Sequence, residues 1–163
     1  MDWYLVFKVM HIIGIILWIG PPLGAYWIHL KSFSSEGNAD EEKFEIRIRK
    51  AFVGVLTIEH TGLIILLTGA LSMLQYTDWK LLDLFWIKGK LLMLLFIIIP
   101  IEILDIWWGQ LAISMAIKKI KGDRITPELR RIFKRYDILV FASIPALIVT
   151  WFFFFLLAVL KPV

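Results

Sequence analysis

The chain has 163 residues, of which 60% are hydrophobic and 20% charged, with no cysteine and a formal net charge of +4. That balance excludes an ordinary soluble domain and points to an integral membrane protein. The lack of cysteine excludes disulfides, thiolate metal sites and a Cys nucleophile. The basic residues cluster beside apolar runs, so the charge reads as an orientation signal and no nucleic-acid partner is expected.

Four apolar stretches reach the roughly 20 residues a spanning helix needs. The first covers about residues 4–30. It lacks a basic leader and a small-residue cleavage site, so it is expected to be a retained helix. The 3.6-residue period places His11, Gly14, Trp18, Pro21 or Pro22, Ala25 and His29 in one broad stripe. Gly14 and Ala25 permit close backbone approach, and Gly20-Pro21-Pro22 is expected to kink or loosen the helix. Residues 31–51 are polar and of mixed charge, and read as a loop. The second stretch, about 52–74, carries Thr57, Thr61, Thr68 and Ser72 near one face and Gly62 and Gly69 one heptad apart. Small and hydroxyl residues in such a pattern are usually helix-packing glue. Glu59 points nearly opposite the Thr face with His60 between, so the two are not expected to serve one small site without rotation.

A short connection holding Asp78-Trp79-Lys80 leads to the third stretch, about 86–117. It contains Pro100, then Glu102 and Asp105, three apart and therefore on one face. Residues 118–137 are strongly basic. Thr126-Pro127-Glu128 reads as a helix start, with Thr126 as cap. A short amphipathic helix bearing Arg130, Arg131 and Lys134 is expected at the membrane surface there. The fourth stretch, about 138–160, has Ser143, Ala146 and Thr150 on one stripe, Pro145 beside it, and a Trp151–Phe155 aromatic run suited to lipid contact.

Lys and Arg crowd the first and third connections, while the second holds Lys80 alone, with Lys88 and Lys90 at the mouth of the third helix. The positive-inside rule then sets those two connections in the cytoplasm. The expectation is an all-α integral membrane four-helix bundle, a single transmembrane domain over 1–163. It would be multi-pass in the cell's inner (cytoplasmic) membrane, with both termini outside.

Ionisable groups inside spanning helices are costly and need partners. At roughly 1.5 Å per residue, depth decides which can meet. His11 and Lys90 can share an outer site, with Lys88, Trp18 and Trp86 nearby. His60 and Glu102 fall at nearly one level and form a central pair, with Asp105 about a turn deeper. Three chemistries fit these groups. A b-type haem needs a nitrogen ligand, a flat apolar slot and cations for its propionates. A divalent metal site needs His and carboxylate ligands at one level. A proton pathway needs buried carboxylates and His in series.

The segment Phe7-Lys8-Val9-Met10-His11-Ile12-Ile13-Gly14-Ile15-Ile16-Leu17-Trp18-Ile19-Gly20 resembles the first helix of HemJ-type protoporphyrinogen oxidases. It also resembles their relatives, the CopD-like proteins and an uncharacterised sister family of predicted integral membrane proteins. Trp86-Ile87-Lys88-Gly89-Lys90-Leu91, the Thr61-Gly62 and Thr68-Gly69 pairs and the ending Val159-Leu160-Lys161-Pro162 are similar in the same sense. The resemblance implies a compact, homo-oligomeric four-helix protein binding haem b through His11 and Lys90. The chain departs from the HemJ pattern in two places. Pro21-Pro22 and Tyr26-Trp27 stand where an arginine and a further His occur, and Phe141-Ala142-Ser143-Ile144-Pro145 replaces an asparagine-glutamate-alanine-proline motif.

The leading expectation is therefore a haem-b-binding membrane protein in electron transfer or porphyrinogen oxidation, working with a quinone or another redox partner. His11 would be the axial ligand and Lys90 the second ligand or propionate partner, with Trp18 and Lys88 beside them. His60 and Glu102 would handle protons. One alternative is a CopD-like divalent-metal protein using His60, Glu102 and Asp105, with His11 as a further metal-ligating imidazole. The other is a structural membrane component whose polar residues only lock helices together.

Overall fold

The computed structural model describes residues 2–32, 39–118 and 125–161, with side chains described for 2–21, 42–118 and 125–161. All the regular structure in them is helical. Helix α1 spans Trp3–Ser32 and α2 spans Ala39–Tyr76. A single 3-10 turn, Lys80–Asp83, leads into α3, Phe85–Lys118. Helix α4 spans Pro127–Leu160. Each is long and apolar enough to cross a membrane. The large hydrophobic side chains left on the outside, among them Ile16, Ile64, Phe96, Trp107, Phe141 and Phe152, are each more than half exposed. So much outward apolar surface suits an apolar solvent.

Glycines set how α1 meets α2. A Cβ on Gly62 would lie 2.6 Å from the backbone nitrogen of Trp18, and one on Gly69 would lie 2.7 Å from that of His11. A Cβ on Gly14 would strike the backbone of Leu66. These contacts are backbone, which cannot step aside, so the two helices touch along a glycine seam. The sequence pattern anticipates the seam at Gly14, Gly62 and Gly69. The threonines behave otherwise. Thr57, Thr61 and Thr68 stand exposed, each hydroxyl donating to the carbonyl four residues back in its own helix. Each is satisfied within its own helix, and Thr57 Oγ1 also accepts from Gln110 of α3 at 3.0 Å.

Two boundaries differ from expectation. Helix α2 begins at Ala39 and not near residue 52. Its polar first turns form one buried stripe of Ile46, Arg49 and Leu56, packed against Leu129, Phe133 and Tyr136 of α4. The segment bearing Arg130, Arg131 and Lys134 is likewise no separate surface helix. It is the continuous start of α4, because Leu129 and Phe133 need burial. The Thr126 cap is as expected, its hydroxyl accepting from the Leu129 amide at 3.2 Å. Arg49 joins these two extensions. Its guanidinium donates to both oxygens of Asp137 at 2.8 and 2.9 Å and to Glu45 at 3.1 and 3.0 Å, and lies 4.1 Å from the centre of the Phe133 ring.

Helix α3 is not regular. Leu94–Ile98 and Asp105–Ile113 are π-helical and flank an α-helical piece, Ile99–Leu104, that holds Pro100 and Glu102. Proline lacks the amide for its turn and its ring crowds the preceding carbonyl, so a widened turn before Pro100 relieves both problems. Helix α1 runs on through Gly20-Pro21-Pro22. The side chains of Pro22, Ala25 and His29, and residues 119–124, lie outside the described residues.

Candidate functional site

The centre of the bundle is polar. His60 and Glu102 are buried, and the His60 Nε2 lies 3.4 Å from Glu102 Oε2 and 3.2 Å from Asp105 Oδ2. The depth match of His60 with Glu102 is thus realised, and Asp105 reaches the same imidazole although it stands almost a turn further along α3.

Hydrogen bonds fix the orientation of that imidazole. The Thr57 hydroxyl has one proton and donates it to the Val53 carbonyl at 3.0 Å. Thr57 Oγ1 must therefore accept from Gln110, whose amide nitrogen lies 3.0 Å away. That leaves the Gln110 carbonyl facing His60 Nδ1 at 3.0 Å as an acceptor, so Nδ1 carries a proton. The other nitrogen, Nε2, faces only carboxylate oxygens. An attractive contact there requires a proton between them, carried either by Nε2 or by a carboxyl.

The far oxygens of both carboxyls are held from behind. The Trp18 indole N–H donates to Glu102 Oε1 at 2.7 Å, and the Tyr136 hydroxyl donates to Asp105 Oδ1 at 2.8 Å. Trp18 is 1% exposed and meets Trp151 edge-on, with ring centroids 5.9 Å apart. Tyr136 reaches Asp105 because Gly109 has no side chain; a Cβ there would strike the phenol ring. With each Oδ1 or Oε1 so occupied, His60 Nε2, Glu102 Oε2 and Asp105 Oδ2 are all buried with no other partner among the described residues. The three atoms face one another with a proton required among them.

Glu59 is also buried, at 7% exposure, and lines a cavity with Glu102, Asp105 and Tyr136. Glu59 thus faces Glu102 and Asp105 from the cavity, whereas His60 meets the same two carboxyls and is not among the cavity's lining residues. Helix α2 has α3 and α4 on different sides, so neighbouring positions 100° apart are both covered.

The outer site forms differently from expectation. The His11 imidazole donates from Nδ1 to the Leu66 carbonyl at 3.1 Å. Lys90 sits over the Trp86 ring, its ammonium 5.0 Å from the centroid, and His11 and Lys90 make no mutual hydrogen bond among the described residues. Lys88 is exposed. Trp18 belongs to the central cluster and not to the outer one, since its indole proton is committed to Glu102. Among the described residues no group of three or more His, Cys, Asp or Glu is arranged to hold a metal ion, and His11 stands apart from the central three. The divalent-metal expectation gains nothing from this geometry.

No family model, curated protein or solved structure matches this chain.

Proposed function

We propose that the chain is a multi-pass membrane protein that stores and passes protons at the His60–Glu102–Asp105 site, in the service of redox chemistry at a haem b bound by His11. The observation that carries the reading is the His60 imidazole with its Nδ1–H committed to Gln110 and its Nε2 aimed at two carboxyls inside an apolar bundle. Buried ionisable groups in series are the usual hardware of intramembrane proton relays. In the orientation argued from Lys and Arg, the Arg49–Asp137 end faces the cytoplasm and both termini lie outside.

The fit of haem b rests on His11. A metal-binding imidazole commonly donates its second nitrogen to a backbone carbonyl, which fixes the ring and presents the other nitrogen. His11 makes such a bond to Leu66, leaving Nε2 as the ligand atom. Lys90 and Lys88 would meet the propionates. The central cavity, about 90 Å³, is too small for a porphyrin, so the group would lie on the His11 flank. When bound, haem b supplies one-electron chemistry. The chain's own residues hold and move the proton. Glu102 and Asp105 exchange it with His60 Nε2, while Trp18 and Tyr136 stabilise whichever carboxyl is ionised.

The test combines a spectrum with a titration. Pure protein, as isolated or after haem is added, should show a Soret band that His11→Ala removes. The haem midpoint potential should fall with rising pH, approaching about 59 mV per unit if one proton accompanies one electron. Glu102→Gln and His60→Gln should flatten that slope. A pure preparation with no Soret band before or after haem addition would overturn the haem reading. A slope unaffected by either substitution would overturn the proton role.

A further inference from the structure

The cavity beside the His60 site has an unmet chemical demand. It lies between α2, α3 and α4, measures about 90 Å³, and is lined by Glu59, Glu102, Asp105, Tyr136 and Ser143 among apolar neighbours. Glu59 is nine-tenths buried and has no hydrogen-bond or ion-pair partner among the described residues. A buried carboxyl with no hydrogen bond is costly in either protonation state. Most of the lining is apolar, but water is held where several polar partners face one space, and Glu59, Glu102, Asp105, Tyr136 and Ser143 all line this one.

Size decides the occupant. An engineered cavity of about 150 Å³ holds a single benzene, whereas liquid water takes about 30 Å³ per molecule. The space beside the carboxyls is smaller than that benzene cavity and suits a few waters. Its position gives those waters a direction. Phe52 and Leu56, which also line it, lead along the same face of α2 from Glu59 back to Arg49. Arg49 holds Asp137, the neighbour of Tyr136, at the polar end of the bundle.

The geometry points to a hydrated cavity. Water fills the space, takes the hydrogen bonds of Glu59, and carries protons between the polar Arg49–Asp137 end and the carboxyls that face His60. Glu59 is the carboxyl through which that exchange runs. The inference rests on the reading of His60, Glu102 and Asp105 as a proton site.

The experiment is hydrogen–deuterium exchange of the protonated carboxyl, followed by its infrared carbonyl band in protein held in lipid nanodiscs. The band belonging to the His60 site is identified by its loss in Glu102→Gln. It should exchange within mixing time in the natural protein. Glu59→Gln should slow it by about 10²-fold, the low end of what a positioned proton carrier supplies. Ser143→Leu, which fills the cavity without touching the His60 site, should slow it similarly. Unslowed exchange in Ser143→Leu would overturn the water path, and unslowed exchange in Glu59→Gln would overturn the role of Glu59. If Glu59→Gln does not fold, Ser143→Leu decides alone. If the natural protein shows no carboxyl band that Glu102→Gln removes, the proton sits on His60 Nε2, and the same substitutions are read on the exchange of that N–H by nitrogen-15 resonance. A site with neither a protonated carboxyl nor a protonated Nε2 overturns the His60 reading, and the water path with it.

Discussion

Trp18→Phe removes one proton donor from the middle of the bundle, and its cost can be worked from the geometry. The indole N–H donates at 2.7 Å to Glu102 Oε1, and Trp18 is 1% exposed, so no solvent replaces the lost bond. Hydrogen bonds to charged groups are worth about 1.5–3 kcal/mol, and leaving a buried acceptor unmet costs on the same scale. The smaller phenyl ring also leaves a gap beside Trp151, adding about 1 kcal/mol. The expected loss is therefore about 2.5–4 kcal/mol in total. A double-mutant cycle with Glu102→Leu separates the bond from the packing. The pair should couple by about 1.5–3 kcal/mol, because Glu102→Leu removes the oxygen that Trp18→Phe strands. The assay is reversible unfolding in mixed micelles, followed by far-ultraviolet circular dichroism. A coupling below about 0.5 kcal/mol would refute the claim that this bond anchors Glu102.

The glycine seam makes a contrast. Gly62→Ala and Gly69→Ala should each destabilise by about 1–3 kcal/mol or more, since the new Cβ meets backbone. Gly54→Ala, with nothing within 4 Å, should stabilise by up to about 1 kcal/mol in the same unfolding assay. Arg49→Met takes both of its hydrogen bonds from Asp137 at the packed polar end and should cost about 3–5 kcal/mol, part of it recovered in Arg49→Met with Asp137→Leu. Gly109→Ala should push Tyr136 off Asp105, seen as an altered phenol absorbance in the ultraviolet difference spectrum, while Gly20→Ala should leave it unchanged.

The pairing of His60 with Glu102 and Asp105 is legible from the chain because depth follows from residue count and a constant rise. The Gly14, Gly62 and Gly69 seam is legible for a similar reason, since small residues on one face mark close approach. Trp18 is harder to read. Its stripe on α1 is plain, but a tryptophan in an apolar run gives no sign of which carboxyl takes its proton. Gln110 stands alone in an apolar run, and its role depends on π-helical turns that shift the register after Asp105. Tyr136 falls in a basic stretch that reads as a surface segment, and only the burial of Leu129 and Phe133 carries it inside. For α2, the charged residues 42–50 conceal a helical stripe of Ile46, Arg49 and Leu56. Arg49 looks like a loop charge until Asp137, distant in sequence, is set against it.

Nitrogen-15 resonance of the histidines, with His60 assigned by its loss in His60→Gln, reports the site most directly. Nδ1 of His60 should be protonated through its bond to Gln110, and Nε2 should show a proton shared with Glu102 and Asp105. Gln110→Leu should release the ring to mixed tautomers. A natural protein whose His60 has a bare Nδ1 would contradict the shared-proton site.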